Sequence, residues 1–230
     1  MNDILLECND LWKTFTVRGK EIPVVRGVNL SVRSGEIVVI TGKSGAGKSV
    51  LFWLLSGLDR PTSGEVLFRG RSLISLSGSE LARVRRWEIG IIFQNFNLVT
   101  SWTAFENVES ALRHSGMPKE AQRVKALKLL DDLMLGDRLD NFPSELSIGE
   151  QQRIALARTL ANDPKLILAD EPAGDVDPET AKEIVKMLIT PVKEKRATLI
   201  VATHGAFPLN VADRVLYLRD GILLPHDTVL

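Results

Sequence analysis

Eight consecutive residues, Gly42-Lys43-Ser44-Gly45-Ala46-Gly47-Lys48-Ser49, have types and spacing that can do chemistry. The pattern is G-x-x-x-x-G-K-S, a loop whose backbone N–H groups curl around a phosphate. Its glycines allow the curl because they carry no Cβ. In such a loop Lys48 reaches the β- and γ-phosphates and the Ser49 hydroxyl holds Mg²⁺. The bland alternative, a glycine-rich turn with a chance lysine, depends on what flanks it. Ile37-Val38-Val39-Ile40 ahead of the loop reads as a short buried strand. Residues 49–56 behind it read as a helix, with Val50, Leu51, Leu54 and Leu55 at helical spacing and Gly57 as its stop. The N-terminal end of that helix adds partial positive charge. With strand before and helix after, the phosphate loop is the better reading.

Three further strand ends carry polar residues. Ile89-Gly90-Ile91-Ile92-Phe93 ends at Gln94, Lys165-Leu166-Ile167-Leu168-Ala169 ends at Asp170-Glu171, and 198–203 ends at His204. Apolar strands alternating with helices, with polar residues at their carboxyl ends, describe a parallel α/β sheet with its site at that edge. Asp170 is then a direct or outer-sphere ligand of Mg²⁺. Glu171, one residue on, points elsewhere and can polarise a water for attack on the γ-phosphorus. Either carboxylate alone could be a solvated strand end, and His204 alone an ordinary surface or core histidine. Their common edge gathers them.

The remaining elements support this edge. Ile4-Leu5-Leu6-Glu7-Cys8, residues 24–32 and residues 64–70 read as strands of an antiparallel layer. Phe15 falls between the first two, either as core or as a ring stacked on a nucleotide base. A polar-aromatic loop over 95–102 precedes three helices. Thr103 and Glu106 form a capping box for the first, over about 103–114. Pro118 suits the first turn of the second, whose Ala121, Val124, Leu127, Leu130 and Met134 step at helical spacing towards Gly136. The third opens at the Ser147–Glu150 box. This block reads as an inserted helical subdomain, about 96–160, within a single domain over 1–230. A later helix covers 178–189 with Asp177 as its cap.

The 230 residues suffice for one large α/β domain or two small ones. Lys and Arg number 29 against 29 Asp and Glu, so no global field favours nucleic acid or an anionic membrane. A single cysteine, Cys8, excludes an internal disulfide framework and fits a reducing compartment. The N-terminus shows no basic-apolar-small leader, and no run approaches the length that spans a bilayer. The expectation is a cytoplasmic chain whose membrane role, if any, comes through a partner.

Leu146-Ser147-Ile148-Gly149-Glu150-Gln151-Gln152-Arg153 closely resembles the L-S-G-G-E-Q-Q-R signature of ATP-binding cassette (ABC) ATPases. Phe15, the phosphate loop, Gln94, this signature, Asp170-Glu171, Ala173-Gly174-Asp175-Val176-Asp177 and His204 follow in the family's order, so the resemblance covers nearly the whole chain. It implies a P-loop NTPase core with a mainly parallel sheet, an N-terminal antiparallel β subdomain and an inserted α-helical subdomain. It implies ATP and Mg²⁺ as ligands. Phe15 would stack on adenine, and residues from Gly42 through Ser49, with Val50, would hold the phosphates. Ser49, Gln94 and Asp170 would hold the metal. Glu171 resembles the catalytic base, His204 the contact to the γ-phosphate, and Gln94 the sensor of a transmembrane partner. Ser147 and Gly149, with Asp177 at the interface, would complete the site of a second copy, so that two chains sandwich two ATP molecules. A helix N-terminus with a free hydroxyl suits that role. The partners implied are a transmembrane permease subunit and a second copy of this chain, with no nucleic acid, and the place implied is the inner face of the membrane.

Phe93-Gln94, Phe96-Asn97-Leu98, Glu106-Asn107-Val108 and Pro143-Ser144-Glu145 are similar to the lipoprotein-releasing, macrolide-export and cell-division branch. An export-type transporter is therefore the leading reading. A mechanical or regulatory module acting on a membrane protein without transport is the alternative, and a DNA-repair or ribosome-bound ATPase fits less well. Three positions depart from the family. Val50 replaces a usual threonine and loses one hydroxyl contact, about 0.5–1.5 kcal/mol. Ile148 replaces a signature glycine, tolerable where φ is negative. Asp175-Val176 replaces asparagine-leucine. Phe96, Leu98, Val99 and Trp102 make the Gln94 loop unusually apolar, either as a partner surface or as packing beneath the helices.

Overall fold

The computed structural model describes residues 3–174, 176–195, 197–205 and 207–226. In chain order the elements are β1 (Ile4–Val17), β2 (Lys20–Arg33), β3 (Ile37–Thr41), α1 (Lys48–Leu55), β4 (Ser63–Phe68), β5 (Arg71–Ser72), α2 (Gly78–Trp87) and β6 (Ile89–Ile92). Then follow α3 (Ala104–Leu112), α4 (Lys119–Asp132), α5 (Ile148–Leu160), β7 (Leu166–Asp170), α6 (Pro178–Lys195), β8 (Thr198–Thr203), β9 (Arg214–Arg219) and β10 (Ile222–Pro225).

The central sheet runs β10-β9-β3-β8-β7-β6. Its inner strands pair in parallel, and only β10, at one edge, is antiparallel to its neighbour. Successive side chains of a strand point to opposite faces. Val38, Ile40, Leu166, Leu168, Ile200 and Ala202 accordingly pack on one side, and Ile37, Val39, Ile167, Ala169, Leu199 and Val201 on the other. Burial on both faces explains the uninterrupted apolar runs in the sequence. The first face is covered by α1 and by a four-stranded antiparallel sheet of order β2-β1-β4-β5. The second is covered by α3, α4, α5 and α6. The helix α1 is only eight residues long and has no side-chain cap, so it would not persist alone. Buried Leu51, Phe52, Leu54 and Leu55 hold it against the sheet, each contributing about 1.5–3 kcal/mol.

Several boundaries differ from those expected. The first two strands are much longer, each of 14 residues, and form one hairpin. Register shifts between Cys8 and Leu11 and again before Thr14 break the period of two, so sequence alternation faded where the strand continued. Phe15 is thus on β1, opposite Ile22, and not between strands. The helix expected over 178–189 runs on through Pro191 to Lys195, because Val192 beyond the proline is buried. Ile148 is not among the positive-φ residues, so isoleucine carries no backbone penalty there. Asp175, one of the departures, lies outside the described residues.

Cys8 is buried on β1, and desolvation pushes its thiol up to about 12. Ionisation is therefore easier in the unfolded chain, from pH 9 upward, than in the folded one. Stability contributed by the neutral thiol is complete below pH 9 and is lost as pH rises towards 12. We expect Cys8 to resist alkylation by iodoacetamide at pH 8 in the native chain and to react promptly in denaturant. Equal rates in both states would show the thiol to be accessible.

Candidate active site

Four strand ends meet beyond the carboxyl edge of β3, β8, β7 and β6. A cavity of about 370 Å³ there is lined by Val24, Ser44, Gly45, Gly47, Lys48, Ser49, Val50, Gln94, Asp170, Glu171 and His204. The phosphate loop follows β3. Gly45 and Gly47 take φ of 79° and 100°, which only glycine adopts without strain. A Cβ on Gly42 would lie 2.5 Å from the carbonyl oxygen of Leu218, and one on Gly47 2.8 Å from that of Val24. Gly42 is therefore required by close backbone approach, and Gly47 by close approach as well as by dihedral. The Lys48 ammonium closes the loop from within, donating to the carbonyls of Gly42 at 2.8 Å and Lys43 at 3.2 Å.

β7 delivers both carboxylates. Asp170 and Glu171 are only 6% and 7% exposed, so neither is a solvated strand end. Glu171 has φ 49°, a left-handed conformation that a non-glycine residue keeps only when its surroundings impose it. Here its amide donates to the carbonyl of Ala202 at 2.9 Å. The twist sends its carboxylate to Lys48 Nζ, 3.2 Å from Oε1, and to His204 Nδ1, 2.9 Å from Oε2. The His204 amide also donates to Oε2, at 3.1 Å. His204 itself remains about half exposed at the rim.

Asp170 sits differently. Burial pushes its carboxyl up from the ordinary range, a hydrogen bond from Ser49 pulls it back, the Glu171 charge raises it again and the Lys48 charge lowers it. Its Oδ1 is buried without a hydrogen-bond partner. An orphan carboxylate oxygen, a serine hydroxyl bonded to the same carboxylate and the amide of Gln94 on the same cavity wall form a hard oxygen donor set. That set fits Mg²⁺, which takes few protein ligands and completes its shell with phosphate and water oxygens.

The structure does not bring every expected residue here. Phe15 is absent from the cavity wall, and the Lys13 ammonium covers its ring at 4.9 Å. Ser147, Gly149 and Asp177 lie at the N-termini of α5 and α6, also off that wall. A Cβ on Gly149 would meet the Thr180 methyl at 2.7 Å, so this glycine lets the two helix starts approach. Asp177 accepts from the amides of Glu179 and Thr180 and so caps α6. The Thr180 hydroxyl, followed by those amides, holds its carboxyl below the usual range. The Ser147 hydroxyl is not free as expected. It donates to Glu150 Oε2 at 2.9 Å and accepts from the Glu150 amide at 3.2 Å. Glu150 completes the box by accepting from the Ser147 amide at 2.8 Å, the leading reason its carboxyl stays below the usual range. In the Gln94 loop, Leu98 packs on the core, Val99 is 37% exposed, and Trp102 is half-buried under the Arg113 guanidinium. The loop is thus part packing and part surface.

Val24 on the cavity wall was not foreseen. It reads as one more apolar strand residue, and only the fold shows its carbonyl against Gly47.

A parallel sheet with a lysine-closed phosphate loop, a metal-competent aspartate and a buried second carboxylate at one edge define a P-loop nucleotide hydrolase. The model of the family described as ABC transporter matches residues 25–174. The lipoprotein-releasing system ATP-binding protein LolD of Syntrophus aciditrophicus (strain SB) is 42% identical over 94% of this chain and 97% of its own. The macrolide export ATP-binding/permease protein MacB of Brucella abortus (strain 2308) is 42% identical over 97% of this chain, which spans 34% of MacB. The dimeric, post-hydrolysis ATP-binding cassette MJ0796 bound to ADP and Pi superposes with a TM-score of 0.89 at 37% identity, over 95% of this chain and 96% of that one. This chain belongs to the ABC transporter family, and it is an ATPase. No helix among the described residues is long and apolar enough to cross a membrane.

Proposed function

We propose that two copies of this chain close over two ATP molecules and that hydrolysis reopens them, driving a transmembrane permease subunit of an export-type system for lipoprotein, lipid or drug. The phosphate loop, Lys48 and Val50 bind the triphosphate, with Phe15 against adenine. Ser49, Asp170 and Gln94 would hold Mg²⁺, which when bound neutralises charge on the phosphate oxygens. Glu171 takes a proton from the attacking water. His204, already bonded to Glu171, orients that carboxylate and faces the γ-phosphate. Ser147 and Gly149 of each copy complete the other's site, and Asp177 lies at the seam. The reading rests above all on one observation: the buried Glu171 carboxylate is held between Lys48 and His204 beside the phosphate loop. The LolD and MacB likenesses support the export-type partner, and the dimeric relative bound to ADP and Pi supports the two-chain site. The chain works at the inner face of the membrane, held there by its partner.

Ser147→Asp tests the shared site. Aspartate can accept from the Glu150 amide as serine does but cannot donate to Glu150 Oε2, so circular dichroism should first show α5 retained. A negative charge placed at that turn would oppose a triphosphate. Sedimentation with ATP should show the variant monomeric, and its hydrolysis should no longer rise with chain concentration. A variant that hydrolyses ATP at the parent rate as a monomer overturns the two-chain reading.

A further inference from the structure

The turn that carries Gln94 is strained, and one side chain bridges its two left-handed residues. Phe96 and Asn97 have φ of 58° and 49°, both left-handed. Such a residue persists only when its surroundings impose it. Both carbonyls of this turn accept from Arg158, Asn97 O from Nη1 at 2.7 Å and Phe96 O from Nη2 at 2.6 Å. A planar guanidinium fork meets the two carbonyls with two rigidly spaced nitrogens, whereas an ammonium would meet both from a single nitrogen and leave their spacing less fixed.

Arg158 lies near the end of α5, the helix that Ser147 caps. Eleven helical steps lead from one to the other, a span of about 16 Å. The same end of α5 is fixed to β6. The Thr159 hydroxyl donates to the carbonyl of Ile91 at 3.1 Å. A Cβ on Gly90 would stand 2.6 Å from the Thr159 methyl, so helix and strand touch without a gap. The Ser147 turn and the Gln94 turn are therefore joined by one helix and one fork.

We propose that Arg158 is the positioning residue of Gln94: it holds the strained 96–97 turn and couples Gln94 to the signature end of α5. This rests on the role given above to Gln94. Arg158 touches no substrate and acts only through that turn. Arg158→Met keeps the apolar stem and removes the fork. In the nucleotide-free chain it should speed amide hydrogen exchange over 93–99 while leaving β7 and β8 unchanged. With ATP its kcat should fall about 10–100-fold at unaltered nucleotide affinity, the range for residues that orient ligands without contact. Arg158→Lys should recover only part of that loss. The double variant Arg158→Met/Gln94→Ala should be no slower than Gln94→Ala alone. Unchanged exchange over 93–99, full recovery by lysine, or two penalties that multiply would each overturn the proposal. Should the methionine variant not fold, the lysine variant decides by the same exchange measurement. If Gln94→Ala itself hydrolyses at the parent rate, the reading of Gln94 falls and the proposal with it. If Gln94→Ala is slow and Arg158→Met is not, only the proposal falls.

Discussion

Replacing Glu171 by glutamine is expected to leave ATP bound and to lower turnover by roughly 10²–10⁴-fold. The substitution preserves shape. The carboxamide keeps one oxygen that can accept from the His204 amide, where Glu171 Oε2 accepts at 3.1 Å. What disappears is the capacity to take a proton. Alternative bases are poorly placed. Asp170 is committed to Ser49 and to an unpartnered oxygen suited to a cation. His204 contacts Glu171 through Nδ1, so its own geometry depends on the carboxylate it would have to replace. Binding is expected to survive because the phosphate loop does not use Glu171 for its fold: Gly45 and Gly47 set its dihedrals, and Lys48 closes it through the carbonyls of Gly42 and Lys43. Equilibrium binding of ATP and single-turnover hydrolysis separate these effects. A variant that turns over like the parent would remove Glu171 from the role of base.

The site was legible in the sequence because it is made of strand ends. Strands buried on both faces leave unbroken apolar runs, and each run here stops at a residue with chemistry: the phosphate loop, Gln94, Asp170-Glu171 and His204. Helix starts were legible for a related reason, since a capping box is local. Thr103–Glu106 and Ser147–Glu150 both form as expected. The same signal stood unread at Ser77–Glu80, which caps α2. That helix was missed because its apolar side is short, only Leu81, Val84 and Trp87, none of them fully buried, set among serine and arginine. β9 and β10 were missed although Val215 to Leu218 and Ile222 to Leu224 are apolar runs, because no polar residue with chemistry follows them and both strands are short and mostly only half-buried. Arg158 could not be found by pattern. Its meaning lies in two carbonyls some 60 positions away in the chain, at separations of 61 and 62.

The second large effect concerns Lys48 and reaches folding as well as catalysis. Lys48→Met should abolish measurable ATP binding, since the loop loses the one ammonium aimed at the β- and γ-phosphates. It should also destabilise the nucleotide-free chain. Lys48 and Glu171 pair at 3.2 Å with side chains only 7% and 6% exposed. Removing one member of a buried pair strands the other, at a cost of about 3–5 kcal/mol. His204 remains within 2.9 Å of the stranded carboxylate and can offset part of this when protonated, so the lower end applies. The carbonyls of Gly42 and Lys43 lose their donor as well. If the stranded charge is the main term, neutralising it must help. Glu171→Gln in the Lys48→Met background should therefore recover stability, although in the parent background it removes a favourable pair. Urea denaturation of the four chains closes the cycle, and contacting residues of this kind couple by about 0.5–3 kcal/mol. Additive losses would mean that Lys48 and Glu171 do not meet before nucleotide arrives. The contact between them would then not be what holds the base in place ahead of binding, and the poised site inferred from the buried carboxylate would have to form only around ATP.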